Sequence, residues 1–154
     1  MRKAILPTRK AARFLPVSRI MHERFPLLAA GVSGAAAVLL GAFGTHVISQ
    51  SLADHGMRTI WDTAVSFNFY HALALLGMAA WIRRPPTGVA ARRATKAVRY
   101  WTAGILLFSG SLYAYALGGP HLLVWITPLG GLCLIAGWIA AAGAALAPRS
   151  EYDI

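Results

Sequence analysis

Four uncharged, apolar stretches dominate this sequence, at residues 25–48, 63–82, 100–117 and 122–146. Each is close to the roughly 20 residues that a helix needs to cross a hydrocarbon layer about 30 Å thick. In that layer every backbone N–H and C=O must be satisfied within the chain, which leaves helices as the simplest solution. The sequence therefore predicts an all-α membrane protein of four transmembrane helices in an antiparallel up-down bundle. Gly118-Gly119-Pro120 leaves so short a link between the last two spans that they must form a hairpin. Composition excludes most soluble classes: 57% of the 154 residues are hydrophobic and only 13% charged, against about 25% in soluble domains.

The same chain is strongly basic, with 15 Lys+Arg, 5 Asp+Glu and a formal net charge of +10. Seven basic residues precede residue 25, six lie between 83 and 99, and Arg149 follows the last span. With the N-terminus inside, 14 of the 15 basic residues are cytoplasmic and only Arg58 is outside. The excess of Lys and Arg in cytoplasmic loops sets orientation, so the reading is N-in/C-in. It places a basic tail at 1–24, the membrane domain at 25–146 and a short cytoplasmic tail at 147–154. The expected location is the bacterial inner (plasma) membrane. A mitochondrial inner membrane is the alternative, because residues 1–24 are Arg-rich and acid-poor like a presequence. Met21 also reads as a possible true start, which would lower the net charge to +4 and leave the 83–99 cluster to set orientation. Charge clustered at span ends argues against a nucleic-acid surface, so the partners expected are the lipid bilayer and other membrane subunits or further copies of the chain. Cys133, the single cysteine, excludes an internal disulfide.

Between the spans, residues 49–62 read as a short amphipathic helix on the outer surface, built on Leu52, Met57, Ile60 and Trp61. Asp62 reads as the N-cap of the second span. Pro85-Pro86-Thr87-Gly88 ends that span, and Ala90 to Arg99 leads helically into the third. Trp61, Trp81, Tyr100, Trp101, Tyr115 and Trp125 fall where interfacial aromatics settle.

Helices in lipid associate by close packing of small residues. Gly34, Gly41 and Gly44 in the first span, Gly110 and Ala114 in the third, and Gly130 and Gly137 in the fourth form such stripes. Polar side chains inside spans are costly and informative. The ones that stand out are His46, Asn68, His71, Ser109, Ser111, Tyr113 and Thr127, and the rise of about 1.5 Å per residue places these in the outer half of the bilayer. Asn68 and His71, three apart, share a helix face. Two readings are open. In one, these groups bond to neighbouring helices, and local polar groups repair the gap left by Pro128. In the other, His46 and His71 approach each other at the outer mouth of the first hairpin, as weak candidate metal or haem ligands or as part of a small lipid or quinone pocket. No nucleophile elbow, HExxH, Walker loop or pair of membrane carboxylates is present, so no catalytic residue and no resident cofactor are expected.

Leu40-Gly41-Ala42-Phe43-Gly44-Thr45-His46 resembles the signature of a small membrane family. The likeness continues at Phe69-Tyr70-His71-Ala72-Leu73-Ala74-Leu75, Leu107-Phe108-Ser109-Gly110-Ser111-Leu112-Tyr113, Ile126-Thr127-Pro128-Leu129-Gly130-Gly131 and Gly137-Trp138. The family is called domain of unknown function 423 in bacteria and transmembrane protein 256 in animals. The resemblance covers about residues 21–146. It implies a four-helix inner-membrane protein without an established catalytic residue. Two departures stand out: Thr45 replaces the usual Ala, and Phe67-Asn68 replaces the common Tyr-Gln. The leading expectation is a non-enzymatic accessory or assembly component of a membrane complex. The alternative is a binder or conduit using the polar cluster around His46 and His71.

Overall fold

The computed structural model describes residues 17–82 and 88–147, with side chains from Arg24 onward. Most of the basic tail, the expected start at Met21, the break at Pro85-Pro86-Thr87 and the tail at 148–154 lie outside the described side chains or residues. The described chain is helical throughout, without strands. Helix α1 spans Val17–His46 and α2 Ser49–Asp54; α3 spans Arg58–Ile82 and α4 Gly88–Gly104. A wider π-helical turn, Ile105–Ser109, continues α4 directly into α5 (Gly110–Ala116), and α6 spans Leu123–Ala145. Gly104, Ser109 and Gly110 all have right-handed helical dihedrals, so residues 88–116 follow one helical path. Three helices are individually long and apolar enough to cross a membrane: α1 from Arg24, α3 and α6. The third predicted span lies on the 88–116 path, whose first part is basic and whose middle is the π-turn.

Two boundaries differ from expectation for physical reasons. Helix α1 begins at Val17 rather than near Phe25, because Ile20, Met21, Glu23 and Arg24 are fair to strong helix formers. The expected surface helix is realised only as α2. Gly56, at φ +66°, turns the chain in the left-handed region that suits glycine, and α3 starts at Arg58 instead of Thr63. Asp62 is therefore not an N-cap. It lies on the exposed face of the first turns of α3, paired with Arg58 at 3.0 Å.

The early start of α3 draws Trp61 inward. Trp61 is 1% exposed, and its indole N–H donates to the Leu40 carbonyl at 3.0 Å. A Cβ at Gly44 would overlap this indole, so the missing side chain makes the slot. Trp101 is likewise buried, against Gly137. These two aromatics are core residues, whereas Trp81, Tyr100 and Trp125 are exposed as interfacial rings should be.

Contacts pair the helices as two antiparallel hairpins. Gly34 faces Ala72, Gly41 faces Val65 and Gly44 faces Trp61 between α1 and α3. Gly143 meets Arg93, Gly137 meets Trp101, Leu134 meets Gly104 and Gly130 meets Phe108 between α6 and the 88–116 path. Arg93 also donates to the Gly143 carbonyl at 2.6 Å, satisfying one of the free carbonyls at the α6 terminus. The link between α5 and α6 turns at Gly118, φ +87°. The stripe expected from Gly110 and Ala114 does not pack: both are exposed, and nothing lies within 4 Å of a Cβ built at Gly110. Gly104, on the opposite side of the path, makes the close approach instead.

The hairpins meet along α3. Leu75, Val98, Trp101, Ile105 and Leu134 form a core towards one end, and Leu52, Trp61 and Ala116 form a second towards the other. Leu39 and Leu106, each 69% exposed, belong to an outward surface of large apolar side chains. Water would not tolerate such a surface on a monomer; lipid does.

Candidate functional site

The polar residues inside the helices fall into two groups: those whose hydrogen bonds are complete and those whose bonds are not. His71 is 5% exposed, and both its ring nitrogens are engaged. Trp138 Nε1 donates to His71 Nε2 at 3.2 Å, and His71 Nδ1 lies 2.8 Å from the Phe67 carbonyl. An indole N–H can only donate, so Nε2 must accept and Nδ1 carries the proton that goes to Phe67. His71 is thus a neutral bracket between α3 and α6, with no free lone pair for a metal.

His46 takes no part in this. It is exposed at the end of α1. His71 lies beside Ala72, opposite Gly34 on α1. Twelve residues separate Gly34 from His46, roughly 18 Å along the helix. The two histidines do not meet, which removes the His46/His71 metal or haem site. No cluster of three His, Cys, Asp or Glu exists among the described residues. The depth reading also shifts. With α3 starting at Arg58, Asn68 and His71 are its eleventh and fourteenth residues of 25, so they sit mid-helix.

Ser111 and Thr127 join α5 to α6, their hydroxyls 2.8 Å apart. Thr127 Oγ1 also reaches the Leu123 carbonyl at 3.2 Å, and Ser111 Oγ the Phe108 carbonyl at 2.9 Å. Each hydroxyl has one proton, so one of them donates across to the other helix while the other donates to its own helix.

The second group faces a cleft. Helix α1 packs on α3, with α2 at its end, and has no comparable packing on the 88–116 path. A cleft of about 520 Å³ opens between them. Phe25, Val32 and Leu40 line its α1 side, Ile105 and Leu106 the opposite side, and Leu75 its floor. Five polar residues line this apolar space: Ser33, Asn68, Thr102, Ser109 and Tyr113; the Thr102 hydroxyl is spent on its own helix, donating to the Val98 carbonyl at 2.9 Å. Ser33 Oγ donates to Asn68 Oδ1, which fixes the Asn68 rotamer and leaves its amide N–H₂ for the cleft. Ser109 is 1% exposed, yet its hydroxyl has no hydrogen-bond partner among the described residues. Tyr113 Oη lacks one too; Asn68 is the polar group it faces. The Tyr113 ring is held edge-on by Trp61, centroids 4.9 Å apart. Trp101 Nε1 is also unpaired, but it lies against Gly137 on the α6 side.

Asn68, Ser109 and Tyr113 were legible in the sequence as intramembrane polar residues. Ser33 was missed, although it is the polar residue at the centre of an otherwise small and apolar first span. Trp138 was visible only as part of a motif, with nothing to say what it held.

A family model described as "Protein of unknown function (DUF423)" matches residues 40–131. The chain is 39% identical over 123 residues to the UPF0382 inner membrane protein YgdD of Escherichia coli K12, covering 77% of this chain and 86% of that protein. A UPF0382 membrane protein of Haemophilus influenzae is 38% identical over 126 residues, 79% of this chain and 93% of that one. The UPF0382 membrane protein YwdK of Bacillus subtilis is 36% identical over 120 residues, 78% and 94% respectively. No solved structure matches the chain.

Proposed function

Because the chain belongs to the DUF423 family of bacterial membrane proteins, we propose that it is a non-enzymatic four-span accessory protein that holds a small amphipathic molecule of the membrane. The observation that carries this reading is the cleft between α1 and the 88–116 path. Its size lies within the range of about 300–1,000 Å³ of small-molecule sites, and its make-up, apolar with a few placed polar groups, is theirs too.

The four-span part rests on length and charge. The 88–116 path has 29 residues, roughly 43 Å of helix, enough for a span with a basic lead. Arg24, Arg92, Arg93, Lys96 and Arg99 lie towards the end of the bundle that holds the starts of α1 and α4 and the ends of α3 and α6. Arg58 is at the opposite end. This asymmetry supports N-in/C-in. The non-enzymatic part is supported by His71: the one imidazole at mid-membrane spends both nitrogens on structure.

The test is native mass spectrometry of protein purified in mild detergent. A small-molecule adduct is expected on the wild-type chain. It should be lost from Ala36→Trp, because Ala36 lines the cleft and an indole there fills it. A bare wild-type chain, or an adduct equally retained by Ala36→Trp, contradicts the proposal.

A further inference from the structure

The polar groups of the cleft define the head of the ligand. We infer that the cleft takes a quinone-type headgroup, whose ring carbonyls accept hydrogen bonds from the Ser109 and Tyr113 hydroxyls. The inference rests on the cleft being a ligand site, as proposed above.

Three observations narrow the chemistry. First, what the site has left to offer is donors. Ser109 and Tyr113 have hydroxyls without partners among the described residues, and the Asn68 carbonyl oxygen is already taken by Ser33. An unpaired buried hydroxyl is costly in hydrocarbon, and an acceptor on the ligand removes that cost. Second, among the described residues no Lys or Arg lines the cleft. A carboxylate or phosphate there has no counter-charge, and an unpaired charge at such a place is strongly disfavoured. The acceptor is therefore neutral. Third, the Asn68–Ser33 pair lies at mid-depth, while Ser109 and Tyr113 stand seven and three residues before Ala116, the end of the 88–116 path. Asn68 is the eleventh of the 25 residues of α3, and its partner Ser33 is the tenth residue counted from Arg24. The ester carbonyls of a phospholipid lie at the interface, about 15 Å from the midplane. A quinone head is uncharged and carries carbonyl acceptors on an apolar ring, and an isoprenoid chain lets it dwell among the acyl tails. Ser109 and Tyr113, four residues apart, share one helix face and both line the cleft. The apolar length of the cleft down to Phe25 suits the chain. Binding alone is inferred, without electron transfer.

The probe is a benzoquinone with one isoprenoid unit, titrated against the full chain in nanodiscs by native mass spectrometry. Squalene serves as an isoprenoid-only ligand and palmitate as a carboxylate. One quinone per chain is expected. Ser109→Ala and Tyr113→Phe should each weaken quinone binding about tenfold and leave squalene binding unchanged. In ligand-free protein both variants should keep or raise the melting temperature, since each removes an unpaired hydroxyl. That result separates a ligand-facing role from a structural one. Quinone binding unaffected by both variants, or palmitate binding more tightly than quinone, overturns the inference while leaving the cleft reading intact. If Ala36→Trp fails to abolish squalene and quinone binding alike, the cleft reading itself falls. A dimer that Ala36→Trp dissociates would assign the cleft to a second copy of the chain and also overturn the inference.

Discussion

Gly130→Ala is expected to destabilise the protein by about 3 kcal/mol, whereas Gly110→Ala leaves its stability unchanged or slightly raised. Both glycines sit in family-like motifs, and both look like packing positions in the sequence. Their surroundings differ. A Cβ at Gly130 falls on the main chain of the 88–116 path, 2.7 Å from Phe108 Cα and 2.8 Å from Leu107 C. A flexible side chain could swing aside; a backbone inside a π-helical turn cannot do so without parting from α6. The parting would also stretch the Ser111–Thr127 bond, one turn away. At Gly110 a methyl group meets nothing within 4 Å, and alanine is the better helix former by up to about 1 kcal/mol. Thermal melts of both variants in the same detergent measure the difference. Equal melting temperatures would mean that α6 does not approach the path at Gly130.

His71→Ala is the second large effect, with an expected loss of about 2–3 kcal/mol. Most of it is packing, because truncating a buried ring leaves a cavity between α3 and α6. The rest is the Trp138 indole N–H, left without its acceptor. Hydrogen bonds between membrane helices are worth about 0.6 kcal/mol on average and rarely exceed 1.7, so the bond alone is the smaller part. A double-mutant cycle with Trp138→Phe isolates it, and a coupling of about 1 kcal/mol is expected. Added zinc should change neither the wild-type melt nor the cycle, since both imidazole nitrogens are committed. A zinc-dependent rise in melting temperature that vanishes in His71→Ala would contradict the bracket.

The helices themselves were legible because apolar length and flanking charge are properties of the chain alone. The tight hairpin at Gly118 and the packing roles of Gly44, Gly130 and Gly137 followed from the same local signals. What could not be read was phase. Gly104 and Gly110 both interrupt the third apolar stretch, six residues apart, and so lie on different faces of a helix. Which face meets α6 depends on Leu134 and Phe108, which belong to the tertiary fit. Depth failed for a related reason. Counting from Thr63 lifts His71 towards the surface, whereas starting α3 at Arg58 places it mid-helix. The extra turns exist because Trp61 finds the slot at Gly44, a contact between residues seventeen apart. The cleft was invisible for the same cause. Ser109 and Tyr113 were singled out as polar, but a sequence cannot say that Ser111 finds Thr127 while Ser109 finds no partner.

Helix α1 is fastened to α3 and separated by the cleft from the 88–116 path. Cysteine pairs in a Cys133→Ser chain test this directly. A Cβ at Gly34 lies 3.8 Å from the Ala72 Cβ, within the roughly 3.5–4.5 Å of a disulfide, so Gly34→Cys/Ala72→Cys should oxidise readily in membranes. Ala36→Cys/Gly110→Cys faces across the cleft, and no atom of Ala36 lies within 4 Å of a Cβ at Gly110. This pair should stay reduced. Ready crosslinking of the second pair within one chain, with the first pair inert, would close the cleft and contradict the account.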